Sequence, residues 1–145
     1  MFLGEYEHSL DAKGRMAIPA RFRALLGEGA VITRGFDKNL VIYPHEAWRT
    51  FAERLNSLSV TQPAVRQTQR FIFAGATECE FDKQGRILVP SSLRGYAELS
   101  ETAIVDGQYR RIEVWDGGRW QEVSARAEAE SSNIAEQLAS LGLDI

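Results

Sequence analysis

A five-residue pattern, Asp-x-x-Gly-Arg, occurs twice in this chain of 145 residues, at 11–15 and at 82–86. Each copy is followed by a short apolar run that ends at a proline. An aspartate that opens a turn accepts hydrogen bonds from amides further along, and a glycine supplies the positive φ that closes it. The arginine that follows the glycine is then the first residue of the next strand. Its planar, multi-donor guanidinium suits phosphate oxygens or the edge of a guanine.

The pattern allows two interpretations. Asp11 and Asp82 could act as fork partners of Arg15 and Arg86, in which case each pair only stabilises its own turn. Alternatively, burial of the apolar residues that follow would expose the arginines on the opposite strand face, free to contact a ligand. The residues alone leave both interpretations open.

The two patterns belong to a longer internal duplication. LDAKGRMAIPARFR (10–23) matches FDKQGRILVPSSLR (81–94) at an offset of 71, with five identities and conserved apolar spacing. One inserted residue then aligns AVITRG (30–35) with TAIVDG (102–107) at an offset of 72. A unit of about 45 residues buries too little surface to be stable alone. We therefore predict that the two units interleave their strands in one pseudo-symmetric barrel with the helices outside.

The pattern of apolar runs, turns and prolines predicts an α+β protein that is mainly β. We divide it into a first repeat at 5–47, linking helices at 48–74, a second repeat at 75–120 and an acidic helical tail at 121–145. Each repeat is expected to contain two short strands around the Asp-x-x-Gly-Arg turn, a short helix after the proline, and a hairpin.

The formal net charge of −3 argues at first against nucleic acid as a partner. The charge is uneven, however. Residues 1–75 hold 10 Lys and Arg against 7 Asp and Glu, whereas residues 76–145 hold 7 against 13. The last 25 residues contain five acidic residues and one basic residue. The sequence therefore predicts a basic face at the turns of an otherwise acidic protein. Such a face suits nucleic-acid binding better than the total charge suggests.

Several classes of function are not expected. The sequence has no phosphate-binding loop, no dinucleotide fingerprint and no zinc-protease motif, so we predict no enzyme and no cofactor. His8, His45 and Cys79 are the only His and Cys residues, too few for an obvious metal site. A single cysteine, no basic leader and no long apolar run favour a cytoplasmic protein rather than a secreted or membrane protein.

The pattern Leu/Phe-Asp-x-x-Gly-Arg-apolar-x-apolar-Pro-x-x-apolar-Arg resembles the AbrB/SpoVT DNA-binding module. Two copies in one chain, the opening MFLGEYEHSLDAKGR and the linker VRQTQRFIFAGATECEFDKQGR together resemble the MraZ family of bacterial transcriptional regulators. The resemblance implies a pseudo-twofold double-split β-barrel with flanking helices, assembled into closed rings of about eight to twelve subunits. It also implies a nucleoid-associated protein that binds direct repeats in double-stranded DNA upstream of the division and cell-wall gene cluster.

The resemblance also assigns residues. It places DNA contact on Arg15 and Arg86 with Lys13 and Lys83 beside them, and assigns the shaping of the loops to Asp11, Gly14, Asp82 and Gly85. The lysine moves by one place between the two turns, so the two turns need not contact DNA in the same way. The leading hypothesis is a sequence-specific repressor with no small-molecule substrate. The alternative is a protein-interaction module like the antitoxins that share this barrel, with the tail as partner-binding segment.

Other basic residues have simpler interpretations. Arg66 and Arg70 would share one exposed helix face and could touch phosphate. A solvated or salt-bridged face is the simpler interpretation. Arg21 and Arg23 lie on or near the first helix and are weaker candidates for phosphate contact. Trp48 and Trp120 occupy matched positions in the two repeats and suit a core or a subunit interface better than a ligand stack.

Overall fold

A computed structural model describes residues 1–143; the last two residues of the predicted tail lie outside the described part. The strands are β1 (Glu5–Ser9), β2 (Arg15–Ala17), β3 (Ala30–Arg34), β4 (Leu40–Pro44), β5 (Thr77–Cys79), β6 (Arg86–Leu88), β7 (Thr102–Gly107) and β8 (Ile112–Asp116). The helices are α1 (Ala20–Leu26), α2 (His45–Asn56), α3 (Pro63–Phe73), α4 (Ser91–Tyr96), α5 (Gly117–Ala129) and α6 (Ser131–Ser140). The predicted α+β class is confirmed, with more residues in the helices than in the strands.

The strands form two sheets in which the repeats exchange partners. One sheet has six strands in the order β1-β7-β8-β4-β3-β5, and the other is the two-stranded pair β2-β6. The first strand of each repeat pairs with the hairpin of the other repeat, β1 with β7 and β5 with β3. The predicted interleaving is therefore present, and neither repeat has a complete sheet without the other.

Two strand pairs cross the pseudo-twofold axis. In β2-β6, Met16 lies opposite Ile87, and in β4-β8, Val41 lies opposite Glu113. Each pair joins residues that are equivalent in the two repeats, so the axis passes through both pairs. Met16 and Ile87 are fully buried, which fixes the small β2-β6 sheet onto the core.

The core lies between the sheets and the short helices α1 and α4. Phe22 on α1 is fully buried and meets the rings of Phe2 and Tyr6 edge-on, with centroids 5.4 and 5.3 Å apart. Both helices begin after a proline, Pro19 or Pro90, because its fixed φ suits a helix start and its missing N–H ends the preceding strand.

The alignment of the two hairpins differs by one residue from the sequence alignment. Ala30 pairs with Cys79, and its counterpart Ala103 pairs with His8, which sets the offset between β3 and β7 at 73 rather than 72. The offset returns to 72 at β4 and β8 because the first hairpin turn has one residue more than the second. The expected match of 30–35 with 102–107 was therefore wrong by one position.

This shift makes Thr33 and Asp106 equivalent, and both are buried. The Thr33 hydroxyl donates to the carbonyl of Ile72 on α3 at 2.6 Å. Asp106 accepts one bond from Gln108 at 2.6 Å, and its Oδ1 has no hydrogen-bond partner among residues 1–143. Burial raises the pKa of Asp106 to about 7, so this carboxyl is partly protonated at neutral pH.

The helices that follow the two repeats pack against the rest of the protein to different extents. Trp48 on α2 packs in an aromatic cluster with Tyr43 and Phe51, and Trp120 on α5 packs on Trp115 with centroids 6.0 Å apart. α3 buries Ile72 against the sheet, whereas α6 buries no residue.

Among residues 1–143, none of the helices has the length and hydrophobicity that a membrane span requires. In the same residues, no group of three His, Cys, Asp or Glu side chains is placed to hold a metal ion.

Candidate nucleic-acid interface

The two Asp-x-x-Gly-Arg turns lie side by side on the β2-β6 sheet, which we call the ribbon (residues 15–17 and 86–88). Its inner face consists of the buried Met16 and Ile87. The outer face consists of Arg15, Ala17, Arg86 and Leu88, none of which is buried. Strand alternation thus exposes the arginines by burying their apolar neighbours, as expected.

The first turn is held by one carboxylate. Asp11 Oδ1 accepts from the amides of Lys13 and Arg15 at 3.0 and 2.8 Å, and Oδ2 accepts from Arg15 Nε at 2.7 Å. Gly14 closes the turn with φ +86°, and its amide donates to the carbonyl of Asp11 at 2.9 Å. The Arg15 guanidinium is therefore anchored through its Nε edge.

The second turn repeats this geometry. Asp82 Oδ1 accepts from the amides of Gln84 and Arg86, both at 2.9 Å, and Oδ2 accepts from Arg86 Nε at 2.9 Å. Gly85 has φ +76°. The hydrogen bond from the Arg86 amide is the main cause that lowers the pKa of Asp82, and the Arg15 amide lowers the pKa of Asp11 in the same way.

The two arginines converge. Arg86 Nη1 lies 3.6 Å from Asp11 Oδ2, so Asp11 of the first repeat contacts the arginines of both repeats. The side chains of Arg15 and Arg86 keep 36% and 28% of their surface exposed. Among residues 1–143 the Nη atoms of Arg15 have no hydrogen-bond partner. The aspartates therefore brace the arginines, and the bracing leaves donor groups accessible on the outer face.

Lys13 and Lys83 are exposed, one on each turn. They are not equivalent, because Lys13 is the third residue of its turn and Lys83 the second. The amide of Lys13 donates to Asp11, whereas in the second turn the corresponding donor is Gln84. The ribbon thus has matched arginines and unmatched lysines.

Two further arginines lie at this site: Arg23, which the sequence offered as a weak candidate for phosphate contact, and Arg94, to which it assigned no role. Arg23 Nη1 donates to the carbonyl of Ile18 at 2.6 Å, and Arg94 Nη1 donates to the carbonyl of Val89. The Arg23 guanidinium lies over Gly85 of the other repeat, where a Cβ would come within 2.5 Å of Nη1. Arg23 is thus a structural contact between the repeats rather than a free phosphate ligand.

The contact made by Arg94 is the pseudo-twofold equivalent of the contact made by Arg23. Arg94 lies over Gly14 so closely that a Cβ there would overlap the guanidinium. Backbone bonds strengthen the contact: the amide of Ile18 donates to the carbonyl of Gly85 at 3.2 Å, and the amide of Val89 to that of Gly14 at 2.8 Å. Both copies of the longer pattern end in an arginine, Arg23 or Arg94, and this identity was the sequence signal for the contacts between the repeats.

These features define a class: a duplicated, strand-exchanged β-barrel with a paired arginine ribbon on its pseudo-twofold axis. A family model described as "MraZ protein, putative antitoxin-like" matches this chain twice, at residues 1–71 and 72–141. The chain belongs to the MraZ family.

Relatives cover its whole length. A "Transcriptional regulator MraZ" of Herpetosiphon aurantiacus is 50% identical over 99% of this chain and 100% of its own. Proteins with the same name from Desulfitobacterium hafniense strain Y51 and Roseiflexus sp. strain RS-1 are 48% and 50% identical. They cover 99% and 97% of this chain, and 100% and 99% of their own lengths.

Proposed function

We propose that this chain is a sequence-specific, DNA-binding transcriptional regulator rather than an enzyme, and that the ribbon is its DNA-contacting surface. The observation that carries the proposal is the pair of braced arginines on the outer face of β2 and β6. The major groove admits a two-stranded β-ribbon, and arginine is the commonest side chain that reads guanine there. The names of the relatives, all transcriptional regulators, agree with this function.

The charges of the ribbon predict weak binding by a single subunit. Asp11 and Asp82 lie against the arginines, so the two Arg–Asp pairs are nearly neutral and Lys13 and Lys83 supply the excess positive charge. Few phosphates can be neutralised by one ribbon, and affinity for DNA depends strongly on that number. Useful affinity then requires several ribbons on one DNA molecule, where the second contact benefits from a high effective concentration.

An exposed cleft, lined by apolar side chains together with charged ones such as Arg54 and Glu113, supports self-association. It has a volume of about 1190 Å³, and its lining includes Leu25, Phe36 and Leu58, which are 46%, 68% and 52% exposed. Such a patch is typical of a protein–protein contact surface. We propose that a neighbouring subunit packs here and that the subunits close into a ring of about eight to twelve.

Phe36→Glu tests the ring contact. A charge on a surface that the neighbouring subunit desolvates should reduce the ring to small species, measured by light scattering after gel filtration. Val60→Glu is the matched control, because Val60 is 57% exposed and does not line the cleft. A Phe36→Glu protein that keeps the mass of the wild type would contradict this interface.

The number of DNA boxes tests the function itself. In gel-shift assays with a duplex that carries several direct repeats, deletion of one repeat should weaken binding at least about tenfold, because one ribbon contact per box is lost. The logarithm of the binding constant should fall steeply with the logarithm of salt concentration. A single repeat bound as tightly as several would count against the proposal.

The genomic target is the one that the resemblance to the MraZ family implies, and the regulatory sign follows from the proposed binding mechanism. We propose the direct repeats upstream of the division and cell-wall gene cluster as the target and repression as the outcome, since a ring seated on promoter boxes blocks access to them. The protein would then be cytoplasmic and associated with the nucleoid. A reporter fused to that promoter should increase in activity when the gene for this chain is deleted.

The second candidate is a protein-interaction module, which the description of the family model as antitoxin-like favours. The segment available to such a partner is the end of the chain after α5, where α6 buries no residue. Truncation after Glu130 should abolish partner capture under this alternative and leave DNA binding intact under the first proposal.

A further inference from the structure

The outer face of the ribbon has matched arginines, but the apolar side chains beside them differ in length. Leu88 on β6 is 58% exposed and lies directly opposite Arg15. Its equivalent in the first repeat, Ala17, lies opposite Arg86. Two matched arginines therefore have unlike neighbours, a leucine beside one and an alanine beside the other.

Leu88 is unusual for its place in the fold. Within the described strands it is the one large apolar side chain that is exposed, since the other exposed large apolar side chains lie in helices, turns or the chain ends. Outward positions of a half-buried sheet are normally polar. Neither core packing nor the turn requires a leucine here, because Ile87 beside it is the residue that fills the core.

We propose that Leu88 reads thymine. The only apolar group on the floor of the major groove is the C5-methyl of thymine, and an aliphatic side chain carried by a ribbon next to a reading arginine is suited to contact it. Ala17 presents only a methyl group, so its side chain extends less far from the ribbon than that of Leu88. This inference rests on the proposed DNA-binding function and names a specificity-determining residue for it.

The asymmetry also gives the ribbon a direction. A reader with exact twofold symmetry fits a site equally well in two opposite orientations, so it cannot distinguish a direct repeat from an inverted one. Subunits of a ring that engage direct repeats must all face the same way along the DNA. Leu88 adds to the asymmetry of the unmatched lysines and distinguishes the two orientations, because only one of them places the leucine on the thymine.

Removal of the methyl group tests the contact. The probe is the duplex that the wild-type protein enriches from a randomised pool, with each thymine of the box replaced in turn by uracil, which lacks only the C5-methyl. At one position, uracil should weaken wild-type binding about fourfold, the equivalent of about 0.8 kcal/mol for one buried methyl group. Leu88→Ala should weaken binding to the thymine duplex by at least as much and should be insensitive to uracil at that position.

The controls separate the two proposals. Leu143→Ala, which truncates a leucine of similar exposure (53%) in the tail, should bind like the wild type and keep its sensitivity to uracil. Ala17→Leu should acquire sensitivity at a second thymine position on the opposite side of the box. If Leu88→Ala loses as much affinity on uracil as the wild type does, Leu88 does not contact the methyl. If the wild type enriches no sequence from the pool, the proposed function itself fails.

Discussion

Replacement of both Arg15 and Arg86 by alanine should lower the affinity for DNA by about a thousandfold or more. A well-placed arginine contributes roughly 1–3 kcal/mol to base discrimination, and each ribbon loses two. The loss is multiplied when several ribbons of one ring act together. Either single variant should lose about ten- to a hundredfold, because the two guanidinium groups converge on Asp11 and share one contact area. Fluorescence anisotropy with a labelled multi-repeat duplex measures these changes.

Two further variants show what kind of contact is lost. Arg15→Lys with Arg86→Lys keeps the charge and removes the planar fork. This protein should keep the wild-type salt dependence and lose sequence preference if the arginines read bases. The alanine pair should reduce the salt slope by roughly 0.9 for each phosphate contact it removes.

The control is Arg66→Ala with Arg70→Ala, which removes two exposed arginines from α3. This pair should bind DNA within about twofold of the wild type. Light scattering must accompany each measurement, because a variant that loses the ring would lose affinity indirectly. If the Arg15/Arg86 variant dissociates into smaller species, the arginines are structural and the ribbon is not assigned correctly.

Gly14→Ala should destabilise the protein by about 3 kcal/mol, a fall in Tm of roughly 10 °C for a chain of this size. A positive φ costs an alanine about 1 kcal/mol, and Gly14 has φ +86°. The new Cβ would also displace the Arg94 guanidinium from the carbonyl of Val89. A hydrogen bond with a charged donor of this kind contributes about 2 kcal/mol. Thermal unfolding followed by circular dichroism measures the change.

Gly4→Ala is the matched control for this prediction. Gly4 has φ +89°, and a Cβ there would meet only the Tyr6 ring at an ordinary distance of 3.6 Å. It should cost only the conformational part, about 1 kcal/mol. In an Arg94→Ala background most of the extra cost of Gly14→Ala should disappear, because the guanidinium is gone and the remaining close neighbour is the Val89 carbonyl, 3.0 Å from the new Cβ. Equal losses at Gly4 and Gly14 in the wild-type background would mean that Arg94 does not lock the two repeats.

The turns were predictable because their causes are local. An aspartate, a glycine and an arginine within five residues determine the hydrogen bonds of each turn, and both copies form the geometry that the pattern indicates. The duplication indicated interleaved strands because neither unit could bury its apolar residues alone. The sequence also left open whether the aspartates brace the arginines or leave them free, and the structure shows bracing through Nε with both arginine side chains partly exposed.

The offset between β3 and β7 was not predictable from residue identities. AVITRG and TAIVDG are both apolar runs, so a slip of one residue changes the match very little. The length of the hairpin turn and the pairing with β5 or β1 decide the register. That register makes Thr33 and Asp106 equivalent, a relation that no local pattern contains.

The repeated unit, the two turns and the candidate DNA-contacting residues can be found in the sequence, because they depend on neighbours a few positions apart. The contacts between residues about seventy positions apart in the chain are visible only in the folded protein. Arg23 on Gly85, Arg94 on Gly14 and the placing of Leu88 beside Arg15 all follow from strand exchange about the pseudo-twofold axis. The physical reason is that a side chain's partner across the barrel is set by pairing and burial of the whole sheet, and not by the residues next to it in the chain.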